Sequence, residues 1–259
     1  VEAWFGHLNR DLKMDIIRPF PIEGKKYPCI VWVCGGAWVQ MDIHAHLPNF
    51  VELARAGYVI ASVEYRDSNS VKFPGQLEDI KSAIRYLRAN SDKFQIDSEY
   101  IGIMGESAGG HLSAMAAVTG DRKEFDKGFY LEYSSAVQAA CPWYLPCAFD
   151  KMPKSDKEDI AMSPESWLIG ADASKHPELV RKASPIHYIN ENTPPFLLIH
   201  GVEDTLVPYN QSEAMYTALE EKKIPVDLIG IKGANHADIH FFQPEIVNIV
   251  QEFFDKNLK

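Results

Sequence analysis

The chain has 259 residues, of which 46% are hydrophobic and 24% are charged. This composition argues against a disordered chain, and the length suits one α/β domain over residues 1–259 better than two small domains. The net charge of −10 is spread along the sequence, which disfavours nucleic acid and anionic membrane surfaces as partners. No apolar run approaches the ~20 residues that span a bilayer.

Continuous apolar runs alternate with helical patterns, which predicts a mostly parallel sheet covered by helices on both faces. Two antiparallel edge strands are predicted within Leu12–Pro19, ahead of the parallel strands. The predicted parallel strands are Pro28–Cys34, Tyr58–Tyr65, Tyr100–Met104, Ala136–Ala140, Phe196–Gly201 and Val226–Ile231. The expected fold is therefore an α/β fold with a central sheet of about eight strands.

Helices are predicted between these strands, where apolar residues recur every three or four positions. In the clearest case, the buried face consists of Leu77, Ile80, Ile84 and Leu87. Further helices are predicted over Pro48–Ala56, Gln211–Lys223 and Pro244–Asn257.

The stretch 121–195 is the least regular part of the chain, because prolines interrupt it repeatedly. We expect a lid-like excursion there that walls the functional site, as insertions above a doubly wound sheet do. A plain surface loop is the alternative. Trp143, Tyr144 and Trp167 favour a packed wall, because large aromatic side chains need a surface to pack against.

The cysteines and the N-terminal residues bear on the cellular compartment. The four cysteines, at positions 29, 34, 141 and 147, lack the C-x-x-C spacing of a metal site. Cys29 and Cys34 lie in an apolar strand-like run and are predicted to be buried free thiols. Charges between positions 10 and 15 interrupt any signal-peptide apolar region, although the sequence does not begin with Met and a processed start stays open. A reducing cytoplasm is the expected location.

The segment 105–109, Gly-Glu-Ser-Ala-Gly, carries the clearest chemical meaning. It follows the predicted strand Tyr100–Met104 and precedes a helical segment of small residues, so it is a G-x-S-x-G pattern in a strand–turn–helix context. A sharp turn there would expose the Ser107 hydroxyl near the positive end of a helix dipole. A simple Gly/Ser turn is the alternative, so the question is whether the rest of a catalytic set exists.

A serine nucleophile needs a base, and the base needs an orienting carboxylate. Both residue types follow later predicted strands, in the chain order Ser107, Asp204, His236. Glu203 competes with Asp204 as the acid, and His240 competes with His236 as the base. We favour Asp204 for the short turn that follows it, and His236 for the tight glycine-containing loop that precedes it.

Ester chemistry also needs N–H donors for the oxyanion of the tetrahedral intermediate. One predicted donor is the backbone N–H of Ala108, directly after the serine. The others are the N–H groups of Gly36 and Ala37, in a loop after an early strand where Gly35 shapes the turn. An ordinary strand-to-helix turn is the alternative for this loop.

Together these segments resemble α/β-hydrolase carboxylesterases of the hormone-sensitive-lipase-like group, and most of all the bacterial acetyl-xylan/feruloyl esterases of the BD-FAE type. The resemblance covers nearly the whole chain. It includes residues 35–38, 64–66, 73–74, 77–79, 105–111, 183–185, 194–196, 200–201, 204 and 233–236. It implies a nucleophile at Ser107, an acid at Asp204, a base at His236, and oxyanion donors at Gly36, Ala37 and Ala108.

Two departures from the family pattern stand out. The histidine that leads the family's His-Gly-Gly-x-Trp motif, and helps to brace the oxyanion loop, is Cys34 here. Because a thiol is a weaker hydrogen-bond donor, the loop must be braced in another way. Residues 67–71 also lack the family's usual continuation, which predicts a different pocket rim.

The expected reaction is hydrolysis through an acyl-enzyme intermediate, which needs no metal and no cofactor. The expected partner is a small-molecule or oligosaccharide ester, with acetyl groups on xylo-oligosaccharides as the leading hypothesis from the resemblance. Trp38, Trp143 and Tyr144 are predicted to offer flat faces to sugar rings, and the alternative is that they only pack the excursion onto the sheet. The sequence does not indicate the oligomeric state.

Two other functions stay open. A prolyl-oligopeptidase-like peptidase shares this fold and triad order, but this short chain carries no propeller-like repeat. A catalytically silent binding protein on the same fold is the other alternative. Such proteins usually lose a triad residue, and none is missing here.

Overall fold

A central sheet of eight strands organises the molecule in a computed structural model that describes residues 2–6, 11–152 and 163–259. The strands are β1 (Glu2–Gly6), β2 (Asp11–Ile17), β3 (Tyr27–Val33), β4 (Val59–Val63), β5 (Ile96–Glu106), β6 (Ala139–Trp143), β7 (Phe196–Gly201) and β8 (Val226–Ile231). Their order across the sheet is β1-β2-β4-β3-β5-β6-β7-β8. β2 runs antiparallel to β1 and β4, and all other neighbours are parallel.

The central strands confirm the predicted mostly parallel sheet. Every residue of β4 and β6 is buried, as near-continuous apolar runs require when helices cover both faces. The predicted edge pair was misplaced, since β1 covers Glu2–Gly6 and β2 covers Asp11–Ile17, whereas both were predicted within Leu12–Pro19. The two strands have five and seven residues, so both cannot fit within eight.

Strand β6 begins three residues later than Ala136 and includes a proline. Pro142 has no N–H to donate, and the pairing of β6 with β7 accordingly consists of Ala140 with Phe196 and Trp143 with Ile199. On its other side, Pro142 pairs with Gly105 in a continuous ladder with β5. The sequence prediction ended this strand at Ala140, two residues ahead of a proline of the kind that normally interrupts central strands.

Helices cover both faces of the sheet. They are α1 (Val51–Arg55), α2 (Gly75–Ala89), α3 (Ser91–Phe94), α4 (Ala108–Val118), α5 (Pro164–Ile169), α6 (Pro177–Lys182), α7 (Asn210–Glu221) and α8 (Pro244–Leu258). Apolar side chains of α2, α4 and α7 belong to one core cluster, and those of α1 and α8 belong to another on the opposite face. The four predicted buried residues of α2 are all fully inaccessible. Within the described ranges, no helix is both long and apolar enough to cross a bilayer.

The stretch 121–195 is divided by β6, which lies inside the sheet between β5 and β7. Loops, short 3₁₀ turns and the helices α5 and α6 make up the rest of its described part. Residues 153–162 of the predicted excursion lie outside the described residues. The irregular sequence therefore forms two separate loop regions, one before β6 and one after it in the chain.

Three buried cations on α2 hold the first of these loop regions. Lys81, Arg85 and Arg88 donate hydrogen bonds to backbone oxygens between residues 119 and 136. Asp126 lies among them and accepts a hydrogen bond of 3.0 Å from Arg85. Because these groups are removed from water, each depends on its partners to offset the cost of desolvation.

All four cysteines are free and buried, which confirms the prediction for Cys29 and Cys34. Burial raises the pKa of the Cys34 thiol to about 11 and those of Cys141 and Cys147 to about 12. Burial also raises the pKa of Cys29. The thiolate is the reactive form, so these thiols are chemically quiet in the folded chain.

Candidate active site

The residues predicted to form the site follow the carboxyl ends of neighbouring parallel strands. Ser107 follows β5, Asp204 follows β7, His236 follows β8, and Gly36 follows β3. The carboxyl ends of parallel strands meet at one edge of the sheet, where doubly wound folds bind their ligands. Residues that are more than 100 positions apart in the chain are brought together at this edge.

Ser107 occupies a sharp turn between β5 and α4. Its φ of 51° and ψ of −119° are unfavourable for a residue with a side chain, so the surroundings must hold it. Its N–H donates to Trp143 O at 3.0 Å, and its carbonyl accepts from His111 N at 2.9 Å. Close packing adds a constraint, because a Cβ on Gly109 would lie 2.0 Å from Val33 O.

A chain of two hydrogen bonds joins Ser107, His236 and Asp204. His236 Nδ1 lies 2.7 Å from Asp204 Oδ2, and His236 Nε2 lies 2.9 Å from Ser107 Oγ. A carboxylate only accepts, so Nδ1 carries the proton and Nε2 accepts from the serine hydroxyl. The ring of Tyr144 packs edge-on against His236, with 4.8 Å between the centroids.

Asp204 is held as a buried carboxylate. Burial alone would raise its pKa, but hydrogen bonds from His200 and His236 outweigh burial and hold the pKa well below its usual range. The N–H groups of Leu206 and Val207 also donate to Asp204 Oδ1, each at 2.9 Å. The carboxylate is therefore ionised and fixed in place.

The two competing residues are placed elsewhere. Glu203 is exposed, and His240 is hydrogen-bonded to Asp238. The structure thus brings Asp204 and His236, rather than these neighbours, into line with Ser107.

The predicted oxyanion loop has three consecutive residues with left-handed backbone angles. The φ values are 119° at Gly36, 54° at Ala37 and 57° at Trp38. A Cβ on Gly36 would lie 1.7 Å from Gln40 O, so only glycine fits there. In the part of the chain that the structure describes, the N–H groups of Gly36, Ala37 and Ala108 have no hydrogen-bond partner.

The carboxylate of Glu106, which sequence reasoning missed, braces this loop. Glu106 Oε1 lies 3.5 Å from the N–H of Gly35, 3.7 Å from Cys34 Sγ and 3.3 Å from His46 Nε2. Glu106 Oε2 accepts from the hydroxyl of Tyr144. Burial alone would raise the pKa of Glu106, but hydrogen bonds from His46 and Tyr144 outweigh it and lower the pKa. A charged residue at the end of an apolar strand was the available sequence signal.

Trp38 is fixed by a second histidine. Its indole N–H donates to His111 Nδ1 at 3.1 Å, and His111 Nε2–H donates to Ala183 O at 2.7 Å. Burial lowers the pKa of His111 to about 4, which keeps the imidazole neutral and able to accept from the indole. On the other side, Ser68 N–H donates to Trp38 O at 2.7 Å. The segment 67–71, which differs from the family pattern, therefore supports the oxyanion loop.

The structure does not place Trp38, Trp143 and Tyr144 as flat faces for a sugar ring. Trp38 is 2% exposed, and the other two are fully buried. Trp143 ends β6 and packs against Trp32 and Phe241 in the core. This expectation is corrected, because a side chain enclosed by the sheet and its helices has no face left for a ligand. Across the described ranges, no group of three His, Cys, Asp or Glu side chains is arranged to hold a metal ion.

The doubly wound sheet, with a serine at the strand-to-helix turn after β5, defines the α/β-hydrolase fold. Within that class, residues 14–219 match the model of the BD-FAE family, and the chain belongs to this family. The resemblance expected from the sequence is confirmed.

Three known proteins illustrate the similarity. The chain is 31% identical to the esterase LipC of Mycobacterium tuberculosis over 228 residues, which is 86% of this chain and 56% of LipC. A truncated carbohydrate esterase from gut microbiota superposes with a TM-score of 0.88 at 29% identity, covering 99% of this chain and 96% of that one. An acetyl ester-xyloside bifunctional hydrolase from Caldicellulosiruptor lactoaceticus superposes with a TM-score of 0.79 at 25% identity, covering 95% of this chain and 88% of that one. The chain thus spans about half the length of the curated relatives it matches.

Proposed function

We propose that this chain is a serine esterase that hydrolyses short-chain acyl esters through Ser107, His236 and Asp204. The observation that carries the proposal is the pair of hydrogen bonds from Ser107 Oγ to His236 and from His236 to Asp204. Relatives and solved neighbours named as esterases support the same reaction class.

In this mechanism, His236 Nε2 takes the proton of Ser107 as the oxygen attacks the ester carbonyl. The imidazolium then gives that proton to the leaving alkoxide, and the acyl group stays on Ser107. A water molecule activated by the same nitrogen releases the acid and restores the serine. Asp204 keeps the proton of Nδ1 in place and stabilises the imidazolium.

The oxyanion that forms at each step needs donors that are already oriented. The N–H groups of Gly36, Ala37 and Ala108, which have no partner among the described residues, are the donors we assign to it. Such a donor contributes about 2.7–4 kcal/mol to transition-state stabilisation where one has been removed from a serine hydrolase. Residues 36–38 have left-handed backbone angles. The loop therefore differs from a regular turn, which would pair such N–H groups internally.

We further propose that the acyl group is acetyl and that the alcohol is a xylo-oligosaccharide or another carbohydrate. The proposal rests on the BD-FAE family and on the carbohydrate esterase and acetyl ester-xyloside hydrolase among the structural neighbours. Four buried free thiols fit a reducing compartment, so we place the reaction in the cytoplasm.

A Ser107→Ala variant tests the nucleophile. We expect it to fold as the wild type does and to lose hydrolysis of p-nitrophenyl acetate and labelling by a fluorophosphonate probe. Ser174→Ala, at an exposed serine, is the matched control and should keep both. Turnover by Ser107→Ala would overturn the nucleophile assignment, and an unlabelled wild type would favour a silent binding protein.

A substrate panel tests the acyl and alcohol assignments. Acetylated xylo-oligosaccharides, feruloyl esters, long-chain esters and prolyl peptides are compared by kcat/KM. We expect acetylated xylo-oligosaccharides to give the highest value. Preference for long acyl chains would refute the short-acyl proposal, and cleavage of the peptides would favour a peptidase.

A further inference from the structure

Glu106 lies between the two parts of the site that must keep a fixed separation. It directly precedes Ser107 in the chain, and its side chain reaches back to the start of the oxyanion loop. A Cβ on Gly35 would lie 3.2 Å from Ser107 Cβ, so the loop and the turn are in direct contact at this point. Any shift of Glu106 therefore changes the position of the loop relative to the serine.

The partners of Glu106 come from three separate segments. The Gly35 N–H comes from the loop after β3, the Tyr144 hydroxyl comes from the residue after β6, and His46 comes from the segment ahead of α1. A carboxylate that is 6% exposed needs such donors, because an unpaired buried charge is costly. Each donor thereby ties its own segment to the serine turn.

His46 is the partner that could most readily have pointed into solvent. It is instead held by a left-handed backbone with a φ of 65° and by stacking on Phe242, with 4.4 Å between ring centroids and 17° between planes. Phe242 itself packs against Trp143 in the core. The imidazole is thus fixed on two sides with Nε2 directed at Glu106 Oε1.

We propose that Glu106 and His46 form a positioning pair that sets the oxyanion loop against Ser107 in this chain, where Cys34 offers only a thiol at 3.7 Å. The inference rests on the proposed esterase function. Neither residue needs to touch the substrate. The pair acts on catalysis by fixing the place of the Gly36 and Ala37 N–H groups, whose contribution is made in the transition state.

Steady-state kinetics of Glu106→Gln and His46→Ala test the pair. We expect kcat to fall by about 10- to 100-fold in each, with KM within about twofold, because misplaced donors weaken the transition state more than the bound ester. Affinity for a trifluoromethyl ketone, which forms a tetrahedral adduct on the serine, should fall by the same factor as kcat/KM. His46→Gln can place an amide N–H near the position that His46 Nε2 occupies, so it should recover most of the activity that His46→Ala loses.

His44→Ala is the matched control, since His44 is an exposed histidine that pairs with Asp15 rather than with Glu106. It should keep wild-type kcat. Wild-type kcat in folded Glu106→Gln and His46→Ala would overturn the inference, as would a loss that His46→Gln does not recover. An inactive wild type would instead refute the proposed function, so the two failures are distinguishable.

Discussion

His200 Nε2 lies 3.3 Å from Asp204 Oδ2, the same oxygen that His236 Nδ1 contacts at 2.7 Å. His200 is fully buried, and its Nε2 is also 2.9 Å from Val207 O. Since both neighbours are acceptors, Nε2 carries the proton, and Nδ1 accepts from the Ser212 hydroxyl at 2.7 Å. The carboxylate that orients His236 is thus oriented by a second imidazole.

The first prediction concerns His200. Replacing it with Ala removes a donor from Asp204, so the carboxylate and the His236 ring lose part of their alignment. We expect kcat/KM for an acetyl ester to fall by about 10- to 100-fold. His200→Gln keeps an N–H donor and should lose less. Wild-type kinetics in a folded His200→Ala protein would contradict this prediction.

The second prediction concerns Gly36. An added methyl group would meet Gln40 O at 1.7 Å and would also require a φ of 119°, so Gly36→Ala must displace the loop. We expect activity to fall by about 100-fold or more, as when an oxyanion donor is lost. Gly24→Ala is the control, because Gly24 also has a positive φ but open space around it. It should cost about 1–2 kcal/mol of stability, the penalty of a left-handed residue with a side chain, and leave kcat intact.

The third prediction concerns acid. Burial opposes ionisation of Asp204, Glu106 and Asp126, yet hydrogen bonds to each carboxylate lower its pKa below the usual range, and Lys81 and Arg85 add to this at Asp126. A carboxyl group whose pKa is lower in the folded state stabilises the fold above its unfolded pKa of about 4. That contribution is lost as pH falls through the folded value. The free energy of unfolding in urea should therefore fall steadily below about pH 4.

The fourth prediction separates stability from catalysis. Asp126→Asn leaves Lys81 and Arg85 buried without their carboxylate partner, which costs about 3–5 kcal/mol in comparable cases. We expect the urea midpoint to fall while kcat of the folded enzyme stays unchanged. Glu124→Gln, at an exposed position two residues away, should alter neither. A lower kcat at full folding would show that this cluster acts on the site.

The fifth prediction follows from the burial of Trp143. Trp143→Phe should lower the free energy of unfolding by about 1–3 kcal/mol, because it removes packed core atoms. KM for an acetylated xylo-oligosaccharide should stay at the wild-type value. A marked rise in KM for the fully folded Trp143→Phe protein would instead show that Trp143 contacts the substrate.

Local sequence patterns were enough to predict the sheet and the residues that meet at its edge. Ser107, Asp204 and His236 each follow an apolar run, and parallel strands deliver such positions to one edge whatever lies between them. The strand boundary at β6 was missed because Pro142 lies where the ladder to β7 has no pair. A propensity describes the residue alone, whereas the neighbouring strand decides whether a proline is tolerated.

The brace around Glu106 could not be predicted, because its partners are far apart in the chain and of different types. His46 is 60 positions from Glu106, and no periodic pattern relates the two. The aromatic residues were misread for a related reason. Whether Trp143 faces a ligand or the core depends on what packs above β6, and composition does not contain that information.

The burial of all four cysteines gives the chain a practical property. Thiol-directed dyes have no accessible target on the folded protein, since each native thiol is enclosed and protonated. A cysteine introduced at Leu206, which is 66% exposed and two residues from Asp204, would be the one thiol open to a maleimide. A single fluorophore could therefore be placed two residues from Asp204 without removal of any native cysteine.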